Sequence, residues 1–245
     1  MAVVVGYGLA RLRAVDDAIA SAPSATVGLV QGDVENDDSN AVDPLPAYRE
    51  ATRSLLRDKV LDLIVWPETA AARTVREDLL SSFVSGQVFG SSFGGSTPRT
   101  NRVAPILLGL ILDRSESVGR GGATKHVHRY FNSAVLASPS AGVFGTYDKR
   151  SLMMLGEYLP YEDSFPWLRA ALPSAGKFSA GSAATVLPLG DRRLLPLICF
   201  EDLLADRVRE DVTATEPDLL VNLTSDAWFG ISQIGRASCR ERVCT

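Results

Sequence analysis

Histidine is the first scarcity of this chain. Only His126 and His128 occur in 245 residues, so serine–histidine catalysis and histidine-rich metal sites find little support. The His-x-His pair could ligate zinc, but no partner cluster stands near it in sequence. A solvated loop or edge strand is the plainer reading. Cysteine is scarce as well: there are three, and Cys239 and Cys244 both fall in the last twelve residues. No stretch reaches the roughly 18–20 apolar residues that span a bilayer. The longest apolar stretches are Met1 to Ala10 and Val103 to Leu112, and the second reads better as a buried strand. Excess positive charge is missing too. The net charge is −4, which argues against a nucleic-acid partner, because phosphate binding needs clustered cations. Neither an internal repeat nor a block of like charge is present.

What is present describes an ordinary globular protein. Hydrophobic residues make up 46% and charged residues 22%, which excludes disorder as the main state. The length suits one large α/β domain with a sizeable core. Residues 1–24 form an N-terminal segment that opens apolar and turns basic at Arg11 and Arg13. It has no small-residue cleavage site of the secretory kind. It reads either as the stub of a membrane helix or as a ragged N-terminus. Residues 25–233 carry the pattern of the folded domain. Ile234 to Thr245 breaks with both hydrophobic periods, and reads as a non-native tail resembling translated sequencing-adapter read-through. The rival reading, a zinc site on Cys239 and Cys244, matches no common ligand spacing. With the tail set aside only Cys199 remains, so a disulfide framework is not expected.

Along residues 25–233, apolar runs alternate with helical patterns as in a layered α/β domain. Strands are expected at Ala25 to Gln31, Leu61 to Trp66, Val103 to Leu112, Asn132 to Ala137, Val143 to Asp148, Ala183 to Leu187, Leu194 to Ile198 and Leu219 to Asn222. Helices are expected at Leu45 to Val60, Arg73 to Val84 and from about Asp202 to Arg209. Asp33 to Asp43 and the Gly/Ser-rich Ser85 to Arg102 read as loops. The glycine-rich Gly119 to Gly122 splits two strands. Leu152 to Ser182, with Pro160, Pro166 and Pro173, is a long irregular segment of the kind that is usually functional.

Three reactive residues share one local setting. Glu68 follows the apolar run Leu61 to Trp66, Lys149 follows Gly142 to Tyr147, and Cys199 closes Leu194 to Ile198. Active groups in open α/β sheets gather at the carboxyl ends of strands. A carboxylate, an ammonium and a thiol brought together there would form a nucleophile with its own base and cation. A free thiol has a pKa near 8.5, so Cys199 needs a base, and Glu68 serves better if burial raises its pKa. Lys149 could hold the thiolate and then a tetrahedral oxyanion. Backbone N–H groups from Phe200 onward would add to that oxyanion site if they open a helix. Singly, each residue has a plainer reading: Cys199 as a small buried hydrophobe, Glu68 as a helix N-terminal acid, Lys149 beside Arg150 as a solvated basic pair. Their joint placement favours catalysis.

Five stretches then resemble the nitrilase, or carbon–nitrogen hydrolase, superfamily, whose members use a Glu-Lys-Cys triad. They are Val30-Gln31-Gly32, Leu63 to Thr69, Tyr147 to Arg150 with Gly156 to Pro160, Leu197 to Glu201, and Val221 to Gly230. The Trp-Pro-Glu-Thr, Gly-Glu-Tyr-x-Pro and Asp-Ala-Trp-Phe-Gly strings point to its apolipoprotein N-acyltransferase branch. The resemblance implies an αββα sandwich, here expected to be truncated on its C-terminal side. It implies Glu68 as base, Lys149 as oxyanion stabiliser and Cys199 as nucleophile, and makes Glu157, Glu201, Phe200 and Asn222 supporting candidates. Loop anchoring and helix capping are the plainer roles of Glu157 and Glu201. No metal or other cofactor is implied. The implied reaction carries an acyl chain from a phospholipid, through a cysteine thioester, to the N-terminal amine of a diacylglyceryl-modified lipoprotein. The implied location is the extracytoplasmic side of a bacterial plasma membrane. Two alternatives stay open: a soluble amidase or nitrilase with the same triad, and an inactive fragment that only binds lipid or a partner. Met153, Met154, Tyr158, Phe165, Trp167 and Leu168 could form a lipid-touching arm or fill a core beneath the loop. The chain departs from the family at Met153-Met154-Leu155, where proline and phenylalanine are usual, at Phe200 for tyrosine and at Ser225 for asparagine. It also departs in extent, since family members carry flanking membrane helices.

Overall fold

The computed structural model describes residues 1–31, 43–71, 73–90, 104–120, 123–173 and 175–225. Gly32, most of the expected 33–43 loop, the expected loop from residue 91 to 102, the Asp226 to Gly230 string and the tail with Cys239 and Cys244 lie outside them.

Two sheets carry the fold. The larger holds β1 (Val27–Leu29), β2 (Leu63–Val65), β3 (Thr74–Arg76), β4 (Ile106–Arg120), β5 (Ala123–Ser138) and β6 (Gly142–Asp148). Its order is β1-β2-β4-β5-β6, with β3 also on β4. Strands β2 and β3 share one edge of β4, at Ile106–Leu107 and Ile111–Asp113 respectively. The smaller sheet is β7 (Leu187–Leu189), β8 (Arg192–Ile198) and β9 (Leu219–Leu223), with β8 and β9 parallel.

Side chains on a strand alternate between faces, and that alternation builds the layers. Ile64, Trp66, Ile106, Leu108, Leu110, Val135 and Ala137 face one way. They pack against Leu45, Tyr48 and Leu55 of α2 (Leu45–Asp58) and against Leu80 and Val84 of the segment that begins with α3 (Leu80–Phe83). Leu63, Val65, Leu107, Ala134, Leu136 and Tyr147 face the other way and meet Leu187, Leu194, Ile198 and Leu223 of the smaller sheet. Fully burying one such aliphatic side chain contributes about 1.5–3 kcal/mol. On β8 the alternate residues Leu195 and Leu197 are also buried, on the face away from the larger sheet. The crossover from β8 to β9 carries α5 (Ala205–Thr215), and the free side for it is that outer face. Helix, sheet, sheet and helix thus stack in the expected αββα order.

Strand direction then brings the reactive ends together. β5 runs against β4 and β6 against β5, while β2 runs with β4. So β6 runs with β2, and Glu68 and Lys149 leave the sheet at the same edge.

Several expected elements change. Arg73 to Val84 is not one helix: it is strand β3, a 3₁₀ turn at Glu77–Leu79, then α3. Val75 alternates inward between exposed Thr74 and Arg76 and takes a place on β4. The start of the expected loop from Ser85 continues α3 as a π-helical segment, Val84–Phe89, because Val84, Val88 and Phe89 pack into the core. Strand β7 begins at Leu187 rather than Ala183, since only Leu187 and Leu189 point into the inter-sheet layer. The helix expected from Asp202 is split into a 3₁₀ turn, Cys199–Leu203, and α5. Leu152 to Ser182 stays irregular apart from α4 (Trp167–Ala171). At the N-terminus, α1 (Ala2–Ser21) exposes Val3, Val4, Tyr7, Leu12 and Ile19. Among the described residues no helix is long and apolar enough to cross a membrane.

Candidate active site

Glu68 is placed by a turn that lies flat on β4. Trp66 N–H donates to the Leu107 carbonyl, Gly109 N–H to Pro67, and Ala70 N–H to Gly109. A Cβ on residue 109 would stand 2.6 Å from both Glu68 Cα and Thr69 N, so only glycine admits the turn there. Thr69 adopts φ +50° to complete it. The expected alternative, a helix N-terminal acid, does not apply, because no helix begins here.

Glu68 is 3% exposed and Lys149 1% exposed. Lys149 Nζ lies 3.7 Å from Glu68 Oε1 and 2.9 Å from Glu157 Oε2. It also donates to Glu157 Oε1 at 3.0 Å. Lys149 is therefore no solvated surface cation. Glu157 accepts a further hydrogen bond from Met153 N–H at 2.8 Å, and the Phe178 N–H donates to its backbone carbonyl. Burial pushes the Glu68 carboxyl above its ordinary pKa. Lys149 and then the Asn132 amide oppose that shift, while Glu157 adds to it.

Cys199 ends β8 with φ +58°. A non-glycine residue in that region costs of order 1–3 kcal/mol and persists only when its surroundings over-determine it. Two contacts supply that constraint. Asn222 Nδ2 on β9 donates to the Cys199 carbonyl at 3.0 Å, and Ile198 N–H donates to Glu201 Oε2 at 2.9 Å. Burial pushes the thiol pKa up, and the Glu68 charge adds to it; Lys149, the Phe200 N–H and the Thr224 side chain pull it back. Its surroundings thus favour the thiol over the thiolate.

Glu201 joins the two strand ends. Its Oε1 accepts from Arg150 N–H at 2.7 Å and Ser151 N–H at 3.0 Å. Its Oε2 accepts from Tyr147 Oη–H at 2.9 Å as well as from Ile198. Four donors from β6, its exit and β8 converge on one buried carboxylate. Next to it, Arg150 Nη1 contacts both Asp211 oxygens at 2.6 Å and ties the lysine strand to α5. The Phe200 ring centroid lies 5.3 Å from Lys149 Nζ, a cation–π distance.

All seven sequence-selected residues, Glu68, Lys149, Cys199, Glu157, Glu201, Phe200 and Asn222, are linked in this one cluster by contacts or charge interactions. Sequence reasoning missed Asn132. Its buried Nδ2 donates to Glu68 Oε1 at 2.8 Å and to Glu157 Oε1 at 3.0 Å, and its carbonyl accepts from Lys149 N–H. A polar residue opening an otherwise apolar strand, Asn132-Ser133-Ala134-Val135, was the available signal. His128 contacts Asp113, with Nδ1 3.0 Å from either oxygen, and stands apart from the cluster. Among the described residues no group of three or more metal-binding side chains gathers.

No family model matches the chain. The chain is 31% identical over 238 residues to the apolipoprotein N-acyltransferase of Geobacter metallireducens, covering 94% of this chain and 40% of that protein. It is 35% identical over 181 residues to that of Sinorhizobium medicae, covering 69% and 29%, and 33% identical over 224 residues to that of Rhizobium meliloti, covering 85% and 38%. The chain thus spans less than half the length of these curated relatives. Among solved structures, glutamine-dependent NAD+ synthetase from Acinetobacter baumannii aligns with TM-score 0.49 at 18% identity, over 89% of this chain and 35% of that one. An amidase of the nitrilase superfamily from Nesterenkonia AN1 aligns with TM-score 0.44 at 20% identity, over 83% and 67%. In sequence, then, the chain is similar over most of its length to apolipoprotein N-acyltransferases.

Proposed function

We propose that this chain is the catalytic part of an N-acyltransferase that moves a fatty acyl group from a phospholipid to the N-terminal amine of a diacylglyceryl-modified lipoprotein, through a thioester on Cys199. The observation that carries this reading is the buried Glu68–Lys149 pair with half-buried Cys199 within its electrostatic reach, joined to the sequence likeness to apolipoprotein N-acyltransferases.

In the first step Glu68 takes the Cys199 thiol proton, and the sulfur electron pair attacks the ester carbonyl carbon. The carbonyl becomes an oxyanion, stabilised by the Lys149 ammonium and the Phe200 N–H. The ester C–O bond then breaks, Glu68 returns the proton to the leaving alkoxide, and the acyl group remains as a thioester. In the second step an amine attacks that thioester, Glu68 accepts a proton from the nitrogen, and the sulfur leaves and regains its hydrogen. A thioester suits this because it is activated toward amines and divides one transfer into two. Loss of one oxyanion stabiliser typically lowers kcat about 10²–10³-fold.

The exposed side chains of the 153–172 segment support a lipid donor. Met153, Met154, Leu155, Tyr161, Phe165, Trp167 and Leu172 lie open to solvent on the same stretch that supplies Glu157. In this reading they touch lipid on the extracytoplasmic face of a bacterial plasma membrane. The test uses the intact protein with phospholipid vesicles and a lipoprotein acceptor. An acyl adduct on Cys199 that hydroxylamine removes is expected, with loss of adduct and of N-acylated product in Cys199→Ser. Acylation of the amine by Cys199→Ser would overturn the reading. Release of free fatty acid with no transfer to amine would replace it with hydrolysis.

A further inference from the structure

We propose that Asn132 is a positioning residue of the reaction: its side-chain amide, shared between Glu68 and Glu157, gives the two carboxylates different tasks and leaves Glu68 Oε2 as the atom that receives the thiol proton. This rests on the reading of Cys199 as nucleophile and Glu68 as base.

The argument begins with a count of donors at each carboxylate. Glu157 accepts from Lys149 Nζ on both oxygens, from Met153 N–H and from Asn132. Glu68 Oε1 has the Asn132 amide at 2.8 Å and Lys149 at 3.7 Å. Glu68 Oε2 is buried and makes no hydrogen bond of ordinary geometry among the described residues. The charged and titratable groups facing Glu68 are Lys149 at the end of β6, Glu157 from the following loop and Cys199 from the elbow after β8, with the Ser225 backbone beside them.

An amide nitrogen can donate but cannot accept. Nδ2 therefore fixes Oε1 as an acceptor and bars a proton from that atom. The same group holds Glu157 against Lys149, so the ammonium is kept mainly by Glu157. Glu68 is left buried and basic, with Oε2 outside any hydrogen bond of ordinary geometry and only the Ser225 backbone N–H opposing a proton there. When the Cys199 S–H bond breaks, its electron pair stays on sulfur and the proton forms the Oε2–H bond of Glu68. The Asn132 backbone carbonyl accepts from the Lys149 backbone N–H, so one residue fixes the strand carrying the cation and, through its side chain, the base.

The test compares Asn132→Leu and Asn132→Asp with the unaltered intact protein. Asn132→Asp keeps the side-chain shape should Asn132→Leu disturb folding. The probe is a short-chain p-nitrophenyl ester, with single-turnover acylation of Cys199 followed by nitrophenolate release and intact mass across pH. Removing the donor from the Glu68 anion is expected to move the acid limb up by about one to two pH units, the size of a hydrogen bond to a charged acceptor. The rate should fall tenfold or more below the limb and recover at alkaline pH. An unmoved limb with a uniform fall at every pH would overturn the proposal and leave Asn132 a packing residue. Infrared difference spectra between the unaltered protein and Glu68→Gln supply a readout that needs no acyl transfer. The protonated Glu68 carbonyl band should rise in frequency in Asn132→Leu, and a band at the same position would also overturn the proposal. Absence of any Cys199 acyl adduct in the unaltered protein, with the band shift present, would sink the nucleophile reading but keep the shared amide.

Discussion

The strand-end cluster and the 153–172 segment are neighbours in sequence and opposites in solvation. Glu68, Lys149 and Glu201 are charged and 1–3% exposed, whereas Trp167 is 64% and Tyr161 76% exposed. Buried charge and exposed large apolar side chains are the two arrangements that ordinary folding disfavours. The cluster is compensated inside the chain: Lys149 has two carboxylates, and Glu201 has four donors. The exposed aromatics have no such compensation in the described contacts. The cluster is closed by contacts within the fold, and the segment leaves its large apolar side chains open, as the proposed lipid contact requires.

The largest expected effect comes from breaking the compensation. Lys149→Met keeps volume but leaves buried Glu68 and half-buried Glu157 as neighbouring carboxylates without their cation. Removing one partner of a buried ion pair typically costs about 3–5 kcal/mol. Chemical denaturation should show that loss, and Lys149→Met combined with Glu157→Gln should recover part of it. No recovery would mean that Lys149 acts in stability through packing alone.

A smaller effect of opposite sign is expected at Glu68. Burial raises its pKa in the folded chain, so folding favours the protonated carboxyl. That contribution is complete below the unfolded-state pKa and is lost as pH rises through the raised folded value. Glu68→Gln should therefore melt higher than the unaltered protein at neutral pH, with the gap closing as pH falls through that window. A gap that widens on acidification would show that Glu68 is stabilised as the anion. Activity should run the other way, falling as pH drops through the same value because the base is lost.

The smallest effect on stability is expected in the segment. Trp167→Ser removes an exposed side chain, and such changes usually stay within about 0.5 kcal/mol. Flotation with phospholipid vesicles should nevertheless show weaker binding. A large drop in melting temperature with unchanged vesicle binding would make Trp167 part of the core.

Much of this protein was legible in the residues themselves. Runs such as Leu63 to Trp66 and Leu194 to Ile198 name buried strands, and Glu68, Lys149 and Cys199 stand at their ends. Hydrophobic period and chain direction are local properties, so sequence carries them. The same local reading failed at Arg73 to Val84, where a vacant length of β4 edge turned Thr74–Arg76 into a strand. It also failed at Asn132, whose partners lie 64 and 25 positions away. Gly109 looked like any strand glycine until the Pro67–Ala70 turn settled on it. Sequence alone determined the layered α/β class and put Glu68, Lys149 and Cys199 at strand ends, because these follow from local periodicity. Tertiary structure decided which oxygen of Glu68 the Asn132 amide engages, which carboxylate holds Lys149 more closely and how the Cys199 elbow is kept at φ +58°. Those depend on contacts between segments far apart in the sequence, which meet only once the chain has folded.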